Sequence, residues 1–160
     1  MESENLKEIY KLAYALCQAK IGSQSSAALG ADSRAMSFSG LCVTASALLL
    51  GLASDSICPL AMAVGAFLLA IAATIAGYSA RPVEFFFPGA DFKNLDSDIS
   101  EAREIEDVLK QLGLFADKHI AANTIVISKN KEHLNFAYRT AIAGIFASTI
   151  PQMVLYFNLS

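Results

Sequence analysis

The chain has 160 residues, of which 54% are hydrophobic and 17% charged, with a formal net charge of −3. Soluble domains carry about 25% charged residues, so an apolar surplus of this size rules out intrinsic disorder. Three cysteines and a pI near 5.3 argue against a disulfide scaffold and against a nucleic-acid binder, which leaves a small integral membrane protein one domain long.

Residues 3–21 carry Leu6, Ile9, Tyr10, Ala13, Leu16 and Cys17 at spacings of three and four, the signature of an amphipathic helix. Such a helix either lies on a membrane or packs on other helices of the chain. Packing is favoured, because the polar face is no richer in Lys than in Glu. Gly22 to Gly30 is small and polar and reads as a loop or a weak helical extension.

Three windows hold no charged residue: Ala35–Ser54 (20 residues), Ser56–Ala80 (25) and Thr140–Ser160 (21). About 20 residues of helix cross a hydrocarbon core of about 30 Å, so each window is long enough to span one. The alternative is a soluble protein with three buried helices, but such helices seldom lack charge for so long. Ser37, Ser39, Thr44 and Ser46 make the first window the least apolar, and hydroxyls in a span bond back to the helix or across to a neighbour. Only Asp55 separates the first two windows, so they are expected to form an antiparallel hairpin. Asp55 or Ser56 is the expected cap of the second helix, with Pro59 in its first turn.

Arg81-Pro82 ends the second span, and Val83 to Gly89 reads as a short extended segment closed by a turn at Pro88-Gly89. Asp96 or Ser97 is the expected cap of a helix running to Leu112, with Gly113 as its stop. From Leu114 no breaker occurs before Pro151, which predicts one long helix entering the third span, where Pro151 frees the carbonyl of Ala147 and favours a kink. Charge is polarised along this stretch. Asp91 to Asp107 holds seven acids against two bases, and Lys110 to Arg139 holds five bases against two acids. The acidic helix should stand off an anionic leaflet. It either pairs with the basic helix, offers Glu101, Glu104 and Asp107 to a cytoplasmic protein partner, or is an ordinary solvated face.

All 12 Lys and Arg residues fall before the first window or between the second and third. The positive-inside rule therefore predicts a cytoplasmic N-terminus, a cytoplasmic 81–139 segment and a C-terminus on the far side. No cleavable leader is expected, since the first 20 residues lack a basic start followed by an apolar core.

No catalytic, nucleotide-binding or metal-ligating constellation is legible. His119 and His133 have no partners at ligand spacing and read as solvated helix residues, so no cofactor and no metal are expected. No charge lies deep in a span, which argues against ion-coupled transport. Small residues recur four apart, as in Ala61–Gly65 and Ala73–Gly77. They place Gly65 and Gly77 at close helix contacts and make a homo-oligomer in the lipid bilayer the expected state.

The segment Ala31-Asp32-Ser33-Arg34-Ala35, the short-turn hairpin, the exit at Tyr78-Ser79-Ala80-Arg81-Pro82 and a helical segment leading to a third span resemble the three-span effector modules of Pycsar-type bacterial antiphage systems. The layout is similar, more loosely, to two-span effector modules found beside nucleotide-signalling enzymes. The resemblance implies a protein that impairs the inner membrane on activation, with Asp32 and Arg34 fixing the cytoplasmic border. Segment 82–139 is shorter than a recognisable cyclic-nucleotide-binding domain. The resulting expectation is an all-α fold: an N-terminal cytoplasmic helix and linker (1–34), a transmembrane hairpin (35–80), a cytoplasmic helical segment (81–139) and a third span (140–160). The expected function is a non-enzymatic inner-membrane effector, with a membrane anchor or scaffold subunit as the alternative.

Overall fold

A computed structural model describes residues 2–89, 98, 100, 101 and 103–159. Three α-helices dominate: α1 (Glu2–Leu52), α2 (Pro59–Ser79) and α3 (Ile105–Leu159), with a 3₁₀ turn at Ala53–Asp55 after α1. Among the described residues there is no strand, and all three helices are long and apolar enough to cross a membrane. The expected caps at Asp96 and Ser97 lie outside the described residues.

The chain divides into two compact units. The first combines Met1–Leu29 with Val83–Ile127, and the second combines Gly30–Pro82 with Ser128–Ser160. Unit one is centred on Ile21, Ala116 and Ile120, with Cys17 packed against them. Unit two is centred on Cys42, Leu69, Ala72, Ala73 and Ala141, with Phe38, Ala45 and Leu49 around them.

One expected helix boundary falls elsewhere, and of the two readings of the 22–30 stretch the helical one holds. Gly113 does not stop a helix but lies inside α3. One interior glycine costs about 1 kcal/mol relative to alanine, which the burial of Ala116 and Ile120 in the next two turns outweighs. The 22–30 stretch is helical throughout: Ser25 Oγ returns a hydrogen bond to the Ile21 carbonyl, and Gln24 reaches across to α3. Pro151 is accommodated inside α3.

The turn between α1 and α2 is also built differently from the expectation. Pro59 opens α2, but the residue at the cap is Cys58, and neither Asp55 nor Ser56 caps the helix. Ser56 instead closes the 3₁₀ turn, its Oγ and its N–H both donating to the Ala53 carbonyl. The polar groups of Cys58 are met by Gln152 of α3: Nε2 donates to the Cys58 carbonyl at 2.9 Å, and Oε1 accepts from its N–H at 3.2 Å. An amide supplies both a donor and an acceptor, which an ionised aspartate does not. Residues 82–89 are neither helix nor strand, and Gly89 takes φ +116°, a conformation that favours glycine.

Candidate functional site

In unit one, helix α3 places Asn123 and His119 one turn apart on the same face. Asn123 is fully buried and holds both backbone groups of Phe86: Nδ2 donates to its carbonyl at 2.9 Å, and Oδ1 accepts from its N–H at 3.0 Å. His119 lies face to face with the Phe86 ring, centroids 4.1 Å apart. Further along the same segment, Gln18 Oε1 of α1 accepts from the Gly89 N–H at 2.7 Å. Two side-chain amides thus pin segment 83–89, which has no helix or sheet to satisfy its backbone. Gln24 joins α1 to α3, donating to Thr124 Oγ1 and to the Ile120 carbonyl. Cys17 donates its thiol hydrogen to Asp117 at 3.8 Å, and burial, reinforced by that carboxylate, pushes the thiol above its ordinary range.

Beside the clamp lies a cleft of about 520 Å³, lined by residues that include Tyr14, Gln18, Phe87, Gln111, Phe115 and His119. Its volume falls within the range of small-molecule sites. Arg103 also lines it, held by Asp98 at 2.9 Å, Glu101 at 3.3 Å and the side-chain Oε1 of Gln111 at 3.3 Å. Aromatic rings beside amides and a neutralised cation suit the binding of an amphipathic molecule. Among the described residues no group of three His, Cys, Asp or Glu is placed to hold a metal.

Unit two holds a second constellation, built from hydroxyls and glycines. Ser39 and Ser46 of α1 donate to the carbonyls of Ala73 and Ala66 on α2, at 2.9 and 2.8 Å. Both pairs are seven residues apart, in opposite chain order, as antiparallel helices in a heptad register require. Gly65 of α2 meets Gly144 and Ser148 of α3: a Cβ added to Gly65 would stand 2.6 Å from Ser148 Cβ and 2.7 Å from the Gly144 carbonyl. Phe38 and Tyr138 pack edge to face, and Arg81 lies over the Tyr78 ring, whose edge meets His133.

The residues singled out by sequence fall in different places. Gly65 is buried at the tightest helix contact, whereas a Cβ on Gly77 would only touch Ser39 Oγ at 3.7 Å. Asp32 is half-buried and Arg34 exposed. Asp55 and Pro59 flank the α1–α2 turn, and Arg81 and Pro82 follow α2. Pro151 adjoins Gln152, which clamps that same turn. Glu101 is ion-paired, while Glu104 and Asp107 are exposed at the start of α3, where the Glu104 carbonyl accepts from the Asp107 and Val108 N–H groups. Among the described residues the ion pairs stay local, and none joins the acidic stretch to the basic one. The two histidines, read as solvated, each lie against an aromatic ring. Sequence reasoning passed over Asn123, Gln18, Gln24, Gly144 and Ser148. The available signal was Asn123 itself, a polar residue between Ile120 and Ile127 on an apolar stripe, where a buried amide must find partners.

No family model matches the chain, and no curated protein or solved structure matches it.

Proposed function

We propose that the protein is a three-span integral membrane protein of the bacterial inner membrane whose first unit lies in the cytoplasm. It acts there as a non-enzymatic effector: a signal received by unit one changes the packing of unit two and perturbs the bilayer. The observation that carries this reading is the make-up of α1 and α3. Each helix contributes a charge-bearing stretch to unit one and a charge-free stretch to unit two. A ligand or partner that binds one arrangement of unit one better than another shifts the population of both. The spans are joined by hydroxyl–carbonyl bonds and dispersion contacts, each worth about 1 kcal/mol or less, so alternative packings lie close in energy. The aromatic cleft beside Arg103 is a suitable receiving site. A scaffold subunit is the second reading, favoured by the exposed carboxylates of Glu104 and Asp107.

Dye-reported membrane potential after induction separates the two. An effector depolarises cells when activated, and Pro151→Leu or charge reversal at Glu101, Glu104 and Asp107 weakens the response. An unchanged potential together with a co-purifying cytoplasmic protein would establish the scaffold. Orientation is tested in a cysteine-free chain carrying Ser54→Cys or Glu84→Cys, both exposed positions. An impermeant thiol reagent should label the first in intact cells and the second only after permeabilisation. The reverse pattern would invert the topology.

A further inference from the structure

His119 forms one wall of the cleft in unit one. Its imidazole lies parallel to the Phe86 ring, 4.1 Å away with 3° between the planes, and Asn123 holds both backbone groups of Phe86. The wall is therefore a fixed plate rather than a free side chain. Tyr14 of α1 is half-buried in the same lining, whereas Phe87 and Phe115 line the cleft with 66% and 57% of their surface exposed. Exposed aromatic rings around a concave site of this size mark a place where a ligand completes the packing.

The polar atoms of the lining are used unevenly. A side-chain amide has one acceptor oxygen and an NH2 group that only donates. Gln18 Oε1 already accepts from the Gly89 N–H at 2.7 Å, and Gln111 Oε1 accepts from Arg103 at 3.3 Å. Both oxygens are engaged within the chain, which leaves the two NH2 groups to donate. The Tyr14 hydroxyl donates as readily as it accepts. Charge is used up as well. Arg103 is the one Lys or Arg among the described lining residues, and its Nη1 and Nε are held by the carboxylates of Asp98 and Glu101. A phosphate or carboxylate entering the cleft would meet a guanidinium whose charge is already balanced.

We infer that this cleft binds an uncharged planar ring whose edge carries hydrogen-bond acceptors, such as carbonyl oxygens or ring nitrogens. The inference rests on the reading of unit one as a receiver and supplies the chemical class of the signal. The volume of about 520 Å³ accommodates a fused-ring molecule. Tyr14, Phe87, Phe115 and His119 offer apolar surface to the faces of the ring, and the NH2 groups of Gln18 and Gln111 offer donors to its edge. A ring that carries only donors at its edge would set them against these NH2 groups. A purely apolar ring would fill the space and leave the donors unpaired, which is how a hydrogen-bonding site rejects an analogue that lacks the matching group. An anion would give up its water shell with no unbalanced cation to replace it.

Equilibrium dialysis of the full chain in detergent micelles, with caffeine as the probe, tests this. Caffeine is planar and uncharged, with ring carbonyls and a ring nitrogen as acceptors and no N–H. Adenosine monophosphate is the charged comparison, and protein-free micelles are the blank. Caffeine should bind saturably with a Kd of about 1 mM or tighter, as a compact ligand in a formed site does, and about tenfold tighter than the nucleotide. Gln18→Glu and Gln111→Glu keep an acceptor for Gly89 and for Arg103 and remove the donors, so each should weaken caffeine binding about tenfold. Phe115→Ala, at an exposed position, should weaken it by a similar factor, and Phe67→Ala, exposed on α2, should leave it unchanged. No saturable binding, nucleotide binding as tight as caffeine, or an affinity untouched by all three cleft variants would overturn the assignment. Membrane potential is read separately: caffeine bound in the expected pattern without depolarisation would end the effector reading and uphold the site.

Discussion

The two units hold their helices together by different means. In unit one, long polar side chains reach from one backbone to another: Asn123 grips Phe86, Gln18 grips Gly89, and Gln24 spans to Thr124. In unit two the contacts are short. Ser39 and Ser46 donate to carbonyls already used in α2, and Gly65 faces Gly144 and Ser148 with no space for a side chain. The first arrangement depends on satisfying buried polar groups, whose loss leaves orphans at about 1–3 kcal/mol each. The second depends on shape, because each interhelical hydroxyl bond contributes only about 0.6 kcal/mol in a membrane. Steric insertion should therefore break unit two, and polar deletion should break unit one.

The largest effect is expected at Gly65. A leucine there must displace Ser148 and the Gly144 backbone, and overpacking of this kind costs about 3 kcal/mol or more. Gly77→Ala is the control: its added Cβ makes an ordinary contact with Ser39 Oγ, and replacing a helical glycine by alanine gains up to about 1 kcal/mol. Unfolding in mixed detergent should show the two variants moving in opposite directions. Equal stabilities would mean that shape does not control unit two.

Asn123→Leu comes next. It is close to isosteric but leaves the N–H and carbonyl of Phe86 without their partner, a loss of about 2–3 kcal/mol. Limited proteolysis should cut within 83–89 faster in this variant, while cleavage near the α1–α2 turn is unchanged. Wild-type protection of 83–89 would show that the stack on His119 suffices and that the amide is dispensable.

How much of this was legible in the sequence follows the same division. The charge-free windows locate the helices of unit two, because apolar runs of about 20 residues are a one-dimensional signal. Ser39 and Ser46 could be assigned a hydroxyl's role in advance, though not their carbonyl partners. Gly65 and Gly77 looked alike, since four-residue spacing does not say which glycine is pressed against a backbone and which meets only a side chain at ordinary contact distance. Unit one was harder to read. Gln18 and Gln24 resemble solvated residues on a polar face, and the partners they find lie 71 to 100 residues away. Gly113 looked like a stop, because its local cost is visible in sequence and the packing of Ala116 and Ile120 is not. The clamp of Gln152 on Cys58 was hidden for the same reason: a cap delivered by another helix leaves no mark beside the helix it caps.

Smaller effects sharpen the contrast. Ser46→Ala removes a bond to the Ala66 carbonyl, which keeps its helical partner, so the expected loss is about 0.6 kcal/mol by the same detergent titration. A loss as large as that of Asn123→Leu would erase the distinction between the two units.

The smallest effect concerns Cys17, and it is read as reactivity. Its thiol is raised above the ordinary value near 9, first by burial and then by the charge and hydrogen bond of Asp117, with Lys20 acting in the opposite direction. A group whose folded pKa is raised contributes stability that is fully present below its unfolded pKa and is lost as pH rises through the folded one. Here that window opens above about pH 9. In a chain whose only cysteine is Cys17, the pH midpoint of alkylation by iodoacetamide should lie above that of a free thiol. Asp117→Asn keeps an acceptor for the thiol and removes the charge, so the midpoint should fall while burial keeps it above the free value. Lys20→Gln should move it the other way, because the cation that favours the thiolate is gone. Since the thiolate is the reacting species, alkylation at pH 8 should be faster in the first variant and slower in the second. If neither variant moves the midpoint, the Cys17–Asp117 contact carries no charge coupling, and burial alone sets the thiol's behaviour.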